Sequence, residues 1–262
     1  MIDPKRSPAK GFVWLVGAGP GAADLITVRG LKLLQTAEAV VYDELANHDL
    51  LEHCPVGCER HSVGKRAGRH NASQDQINAL LISLARAGKR VVRLKGGDPL
   101  VFGRAGEEMA ALRETGIGFA VVPGVTAATA AGAAAALPLT HRDHSSAVVF
   151  VTGHQCAANT DALDWGSLAR LRATLCFYMG VRRLPEIADN LIAHGMSPAL
   201  PMALVSEATL PTQTIQVGTL RDARPFSARL AGQPALVIVG EVARLADLAA
   251  RVPELHATAS QG

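Results

Sequence analysis

The chain has 262 residues, 48% of them hydrophobic, 19% charged and only 4% aromatic, with a formal net charge of +3. That length supplies one large or two small α/β cores, and two are expected. The mild positive balance, without Lys/Arg runs interleaved with aromatics, gives no ground for nucleic-acid binding and stays compatible with an anionic small substrate.

In chain order, strands are signalled at residues 12–16, 39–42, 90–94, 120–122, 147–152, 174–178, 202–205, 214–217 and 235–239. Helical patterns fill most of the earlier gaps. The clearest runs from Ser73 to Arg86: Ser73 and Gln76 form a capping-box pattern, Ile77, Leu80, Leu81 and Leu84 make an apolar face, and Gly88 ends it. Another begins at Pro185 and stops before Gly195. Early strands that alternate with helices imply a parallel sheet. The closely spaced pair at 202–205 and 214–217 makes part of a second sheet antiparallel. The uncharged run 119–139 is long enough for a bilayer. It holds Pro123, Gly124, Gly132 and Pro138 and is mainly alanine, so a strand, a turn and a buried helix are expected instead of a membrane span.

The expected domains are a frayed arm at 1–11, an N-terminal α/β domain at 12–140, a linker at 141–146, a C-terminal α/β domain at 147–250 and a flexible tail at 251–262. The cysteines, Cys54, Cys58, Cys156 and Cys176, are scattered, and no apolar segment follows the basic start MIDPKRSPAKG. Free thiols in a reducing cytoplasm are therefore expected rather than a disulfide framework.

Several motifs carry chemistry. LVGAGPGAAD, residues 15–24, puts Gly17, Gly19 and Ala22 on a dinucleotide fingerprint, with Asp43 ending the next strand. That leaves open a nicotinamide or flavin enzyme, although Pro20 lacks the amide a pyrophosphate would use. A plain tight turn after the strand is equally consistent. HCPVGCERH, residues 53–61, gathers two cysteines and two histidines, but its C-x3-C-x2-H spacing fits neither a zinc finger nor a zinc ribbon, and a surface loop is favoured over a metal. Lys65, Arg66 and Arg69 sit on a glycine-rich loop that is either solvated or anion-binding.

VVRLKGGDPLVFGRAGEE, residues 91–108, runs an apolar strand into Gly96 and Gly97, where backbone can approach a ligand with no side chain in the way. Asp98 follows, and Arg104 with Glu107 or Glu108 opens the next helix. In HRDHSS, residues 141–146, the favoured reading is an Arg142–Asp143 pair with the arginine partly free for an anion. Strand after strand ends in glycine. Ligands of open α/β sheets sit outside the carboxyl ends of strands, so these ends are expected to line one cleft.

The order LVGAGPG, VVYDE, VGKRAG, GGDPLVFGRAGEE, VVPGVTAATAA, LPLTHRD, VTGH, FYMG and IVGEV resembles the tetrapyrrole methylase family from Phe12 to about Leu248. The resemblance implies two α/β domains of the tetrapyrrole methylase type with the active site in the cleft between them. It implies a homodimer and S-adenosyl-L-methionine-dependent C-methylation of uroporphyrinogen III at carbons 2 and 7, giving precorrin-2 via precorrin-1, without a metal. It implies no nucleic acid or membrane partner. Carried over by position, cofactor contacts fall on Pro20, Gly96, Gly97, Asp98, Val101, Thr126, Ala127, Met179 and Ala208, the last where the family often has glycine. Asp43 and Lys65 match a proton acceptor and a proton donor. Arg104, Glu107, Arg142 and Met179 match substrate contacts, and Arg104 and Glu107 are also candidates for catalysis. Glu44, Ala105 and His144 stand where Arg, Gly and Tyr are more usual. Two other readings stay open: a nicotinamide oxidoreductase resting on Gly17, Gly19 and Asp43, and a silent tetrapyrrole-binding protein resting on the basic loops. No dehydrogenase or ferrochelatase module is legible, so a stand-alone methylase is expected.

Overall fold

The computed structural model describes residues 11–64, 72–153, 163–230 and 232–250. The expected arm (apart from Gly11), the tail, Lys65 and Cys156 lie outside these residues.

Two compact units are present, one ending at Thr126 and the other beginning at Ala127. In the first, β1 (Phe12–Gly17), β2 (Ala39–Tyr42), β3 (Glu59–Ser62), β4 (Arg90–Lys95) and β5 (Gly118–Val122) form a sheet of order β3-β2-β4-β1-β5. Every pairing is parallel. Such a sheet is covered on both faces, and its inner strands read as continuous apolar runs. On β1, Trp14 and Val16 pack with Leu34 and Leu50 on one face. Val13 and Leu15 pack with Leu81, Leu84 and Leu112 on the other. The helices here are α1 (Val28–Leu34), α2 (Gln74–Arg86) and α3 (Ala105–Glu114). α2 begins on the expected capping box, with Ser73 Oγ accepting from the Gln76 N–H and Gln76 Oε1 accepting from the Ser73 N–H. It ends at Gly88, whose φ of 80° is a left-handed C-terminal turn.

The second unit holds α4 (Ala127–Ala134), β6 (Val148–Thr152), α5 (Trp165–Arg170), β7 (Thr174–Tyr178), α6 (Leu184–Ala193), β8 (Pro201–Ser206), β9 (Thr214–Thr219), α7 (Ala223–Arg229) and β10 (Ala235–Val239). Its sheet order is β6-β7-β10-β8-β9. β6 and β7 are parallel, and the remaining pairs are antiparallel, including the expected β8–β9 pair. Phe177, Leu184, Leu191, Leu204 and Val237 centre its core.

Two expectations are corrected. The division falls at 126/127, ahead of the linker expected at 141–146, because α4 packs on β8 and β10 and so belongs to the second unit. Its buried alanines, Ala128, Ala130, Ala131 and Ala134, allow that close approach. Residues 59–61, read as loop, form most of β3. An edge strand with an exposed face needs no apolar alternation, and Glu-Arg-His-Ser shows none. The run 119–139 is β5, a turn and α4, and no helix among the described residues is long and apolar enough to cross a membrane.

The capping box sets a first test. Ser73→Ala should lower stability by about 1 kcal/mol, read as a lower urea midpoint at unchanged slope.

Candidate active site

In the first unit the parallel strands bring Gly17, Asp43, Gly96 and Thr126 out at one sheet edge. β1 and β4 stay in register past their ends. The Ala18 N–H donates to Lys95 O at 2.7 Å, the Gly97 N–H to Gly19 O at 2.6 Å and the Gly19 N–H to Gly97 O at 3.3 Å. Glycine is required here by the protein's own backbone. A Cβ on Gly17 would lie 2.6 Å from Gly124 Cα and 2.7 Å from Gly97 O. One on Gly96 would lie 2.9 Å from Leu45 Cβ, and Gly97 has a φ of 67°. The space expected for a ligand beside Gly96 is thus partly taken by Leu45. Asp98 closes the turn, Oδ1 accepting from the Leu100 N–H at 2.8 Å and Oδ2 from the Gly124 N–H at 3.0 Å.

Behind this edge lies a buried charge cluster. Arg93 and Lys95 alternate onto the same face of β4 and are 2% and 3% exposed. Arg93 Nε donates to Glu108 Oε1 at 2.9 Å and its Nη2 to Asp43 Oδ1 at 2.5 Å. Lys95 Nζ lies 3.0 Å from Glu108 Oε1 and 3.9 Å from Asp43 Oδ2. Burial, then the neighbouring Arg93, lowers the Lys95 pKa, while Glu108 and Asp43 oppose the shift. Arg93, Lys95 and Glu108 were not assigned roles from sequence. The available signal was two cations at i and i+2 on a strand otherwise buried, answered by an acid in the first turn of the next helix.

Arg104 and Glu107 meet as a bidentate pair at 2.8 and 2.7 Å on the exposed start of α3. That hydrogen bonding holds the Glu107 carboxyl below its usual pKa. Arg104 itself is left-handed, with φ 57°.

In the second unit β7 and β8 both run against β10, so Met179 and Ala208 follow strand ends at the same sheet edge. Gly153, after β6, packs there on Gly180, and the Tyr178 hydroxyl accepts from the Ala128 N–H at 3.1 Å. Met179 is exposed and has φ 53°, and the neighbours of Ala208, Glu207 and Thr209, have φ 48° and 72°. Left-handed non-glycine residues cost of order 1–3 kcal/mol and cluster at functional sites. Of the six among the described residues, five are at or beside carried-over positions. None of the nine positions carried over for cofactor contact is buried, although β1, β4, β7 and β8, which lead to most of them, are largely buried.

The family model described as Tetrapyrrole (Corrin/Porphyrin) Methylases matches residues 13–224. The chain belongs to this family. It is 52% identical over 245 residues to siroheme synthase 1 of Pectobacterium atrosepticum, an alignment covering 93% of this chain and 51% of that protein. The chain thus spans about half the length of the curated relatives it matches. Among solved structures, uroporphyrin-III C-methyl transferase from Thermus thermophilus is 39% identical, with a TM-score of 0.77 over 89% of this chain and 99% of that one, and it has also been solved with S-adenyl homocysteine. A cobalt precorrin-4 methyltransferase of cobalamin biosynthesis superposes with a TM-score of 0.79 at 30% identity, covering 89% of this chain and 96% of that one.

Geometry also removes the dinucleotide reading. That fingerprint needs free amides and a helix opening on the phosphate. Here the Ala18 and Gly19 amides are spent on β4, and a 3-10 turn at Ala23–Leu25 delays α1 to Val28. In the 53–61 segment, Cys54 and Cys58 are buried in the core, burial pushes the Cys58 thiol up to about 12, and His61 contacts Glu59. Among the described residues no three His, Cys, Asp or Glu side chains gather as metal ligands. The Arg142–Asp143 pair does not form: Asp143 lies 3.8 Å from His141, and Arg142 is exposed without an ion-pair partner among the described residues.

Gly17→Ala should cost about 3 kcal/mol or more, since the neighbours it meets are backbone. Gly57→Ala, with nothing within 4 Å of the new carbon, should stay within about 0.5 kcal/mol of the parent. Thermal unfolding of both variants checks the contrast.

Proposed function

We propose that the chain transfers methyl groups from S-adenosylmethionine to uroporphyrinogen III, adding two and yielding precorrin-2 by way of precorrin-1. The observation that carries this reading is the 39% identity to the Thermus uroporphyrin-III C-methyl transferase over nearly its whole length. The nine positions assigned to the cofactor fit a polar ligand of small net charge. None is Lys or Arg, and the one charged residue, Asp98, already accepts two backbone N–H groups. When bound, S-adenosylmethionine supplies an activated methyl, so orienting the ring carbon accounts for much of the acceleration.

Asp43 takes the proton that the ring system loses after transfer. Its side chain is 31% exposed, and Oδ2 lies beyond hydrogen-bond length from Lys95, which leaves that oxygen a lone pair. Glu107 is the poorer base because both of its oxygens accept from Arg104. Lys65, matched to the donor, lies outside the described residues. The substrate carries eight carboxylates, which arginine forks pair in bidentate fashion, and we assign Arg104 and Arg142 to them and Met179 to both ligands.

Anaerobic incubation with uroporphyrinogen III and S-adenosylmethionine should add two methyl groups by mass spectrometry. A product mass unchanged with uroporphyrinogen III but raised with a later corrin precursor would sink this reading and favour the precorrin-4 type of neighbour. Arg142→Ala should raise the KM for uroporphyrinogen III roughly tenfold, the scale of a lost charge-assisted contact, with S-adenosylmethionine affinity unchanged by calorimetry.

A further inference from the structure

We propose that Arg93, buried in β4, is a positioning residue that aims the Asp43 carboxylate, with Glu108 and Lys95 completing the mount. This rests on the reading of Asp43 as the group that takes the proton.

A planar guanidinium directs its donors along fixed lines, so its own anchoring fixes what it holds. Arg93 is anchored on three sides. Nε is tied to Glu108 Oε1 on α3, and Nη1 lies 3.4 Å from both Val41 O on β2 and Leu94 O on β4. The guanidinium is thereby keyed to two adjacent strands and a helix. The one remaining direction, Nη2, meets Asp43 Oδ1. Asp43 follows β2 directly, and its N–H donates to Leu94 O at 3.3 Å, so backbone and side chain of Asp43 are both referred to β4.

Lys95 supplies the second cation facing Asp43, and Glu108, fully buried, accepts from Arg93, Lys95 and Gln74 through one oxygen. Its other oxygen has no hydrogen-bond partner among the described residues. Two cations face two carboxylates, and only Asp43 is open to solvent. Stability alone does not account for this arrangement. A buried ion pair repays its desolvation poorly compared with apolar residues of the same volume, and the surrounding face already offers Leu15, Val41 and Leu112. Delivering one oriented carboxylate to the sheet edge does account for it.

The test is a double-mutant cycle of Arg93→Lys and Asp43→Asn in the full chain. Arg93→Lys keeps the charge and loses the fork. Expected is a fall in kcat of roughly tenfold or more, with both KM values within about twofold, and a further change of less than about twofold when the variant is built on Asp43→Asn. Equal falls in both backgrounds, a change confined to KM, or unchanged kcat would overturn the positioning role. Wild-type turnover in Asp43→Asn would overturn the base assignment, and the positioning role with it. If Arg93→Lys does not fold, Glu108→Gln takes its place in the same cycle, since it keeps shape and removes the anchor's charge, and the same outcomes decide.

Discussion

Backbone meeting backbone is the constraint on which the first unit depends. Where β1 and β4 end, Gly17, Gly97 and Gly124 approach so closely that no side chain fits among them. The contact holds the start of the 96–104 segment against the first turn of the chain. Asp98 then ties that segment to the backbone at Gly124. A rigid seam of this kind lets a loop carry functional side chains with the precision of a strand, which is where scaffolds hold sites best. The same seam fixes β4, and with it the direction of the two buried cations.

The second unit reaches its edge differently. Its turns after β7 and β8 are held in left-handed geometry by residues that have a Cβ, so local strain does the work that glycine does in the first unit. Gly153 and Gly180 keep the adjacent turn close, and the Tyr178 hydroxyl pins the start of α4. Small residues on α4 let it sit flat on the sheet.

Much of the fold was legible because buried parallel strands announce themselves as apolar runs. The capping box at Ser73 and the left-handed Gly88 and Gly195 marked helix ends correctly for the same local reasons. What stayed hidden depended on contacts distant in sequence. Glu59–Ser62 is a strand only because β2 offers it an edge. α4 follows β5 in sequence yet packs with strands that come much later. In the candidate site, the order of motifs offers Asp43, Arg104 and Asp98 as candidates, but not the buried partners of Asp43. Glu107 and Glu108 are indistinguishable in a string, and the helix turns one to solvent and the other into the core. The amides of the first glycine turn matched a phosphate cradle by spacing, and only the β4 pairing shows them already spent.

The position of β10 has a consequence for biosynthesis. It is the last strand of its sheet in sequence and a central one in space, flanked by β7 and β8. A chain emerging from a ribosome can complete the first sheet once β5 is out, since all five of its strands come from residues before Thr126. The second sheet has to wait. Until residues 235–239 appear, β7 and β8 each carry an unpaired edge made of apolar sequence, the condition under which strands pair with the wrong chain. A nascent-chain chaperone would therefore have its longest task on this unit, and a stop codon ahead of Ala235 would leave the sheet in two pieces rather than trimmed at its rim.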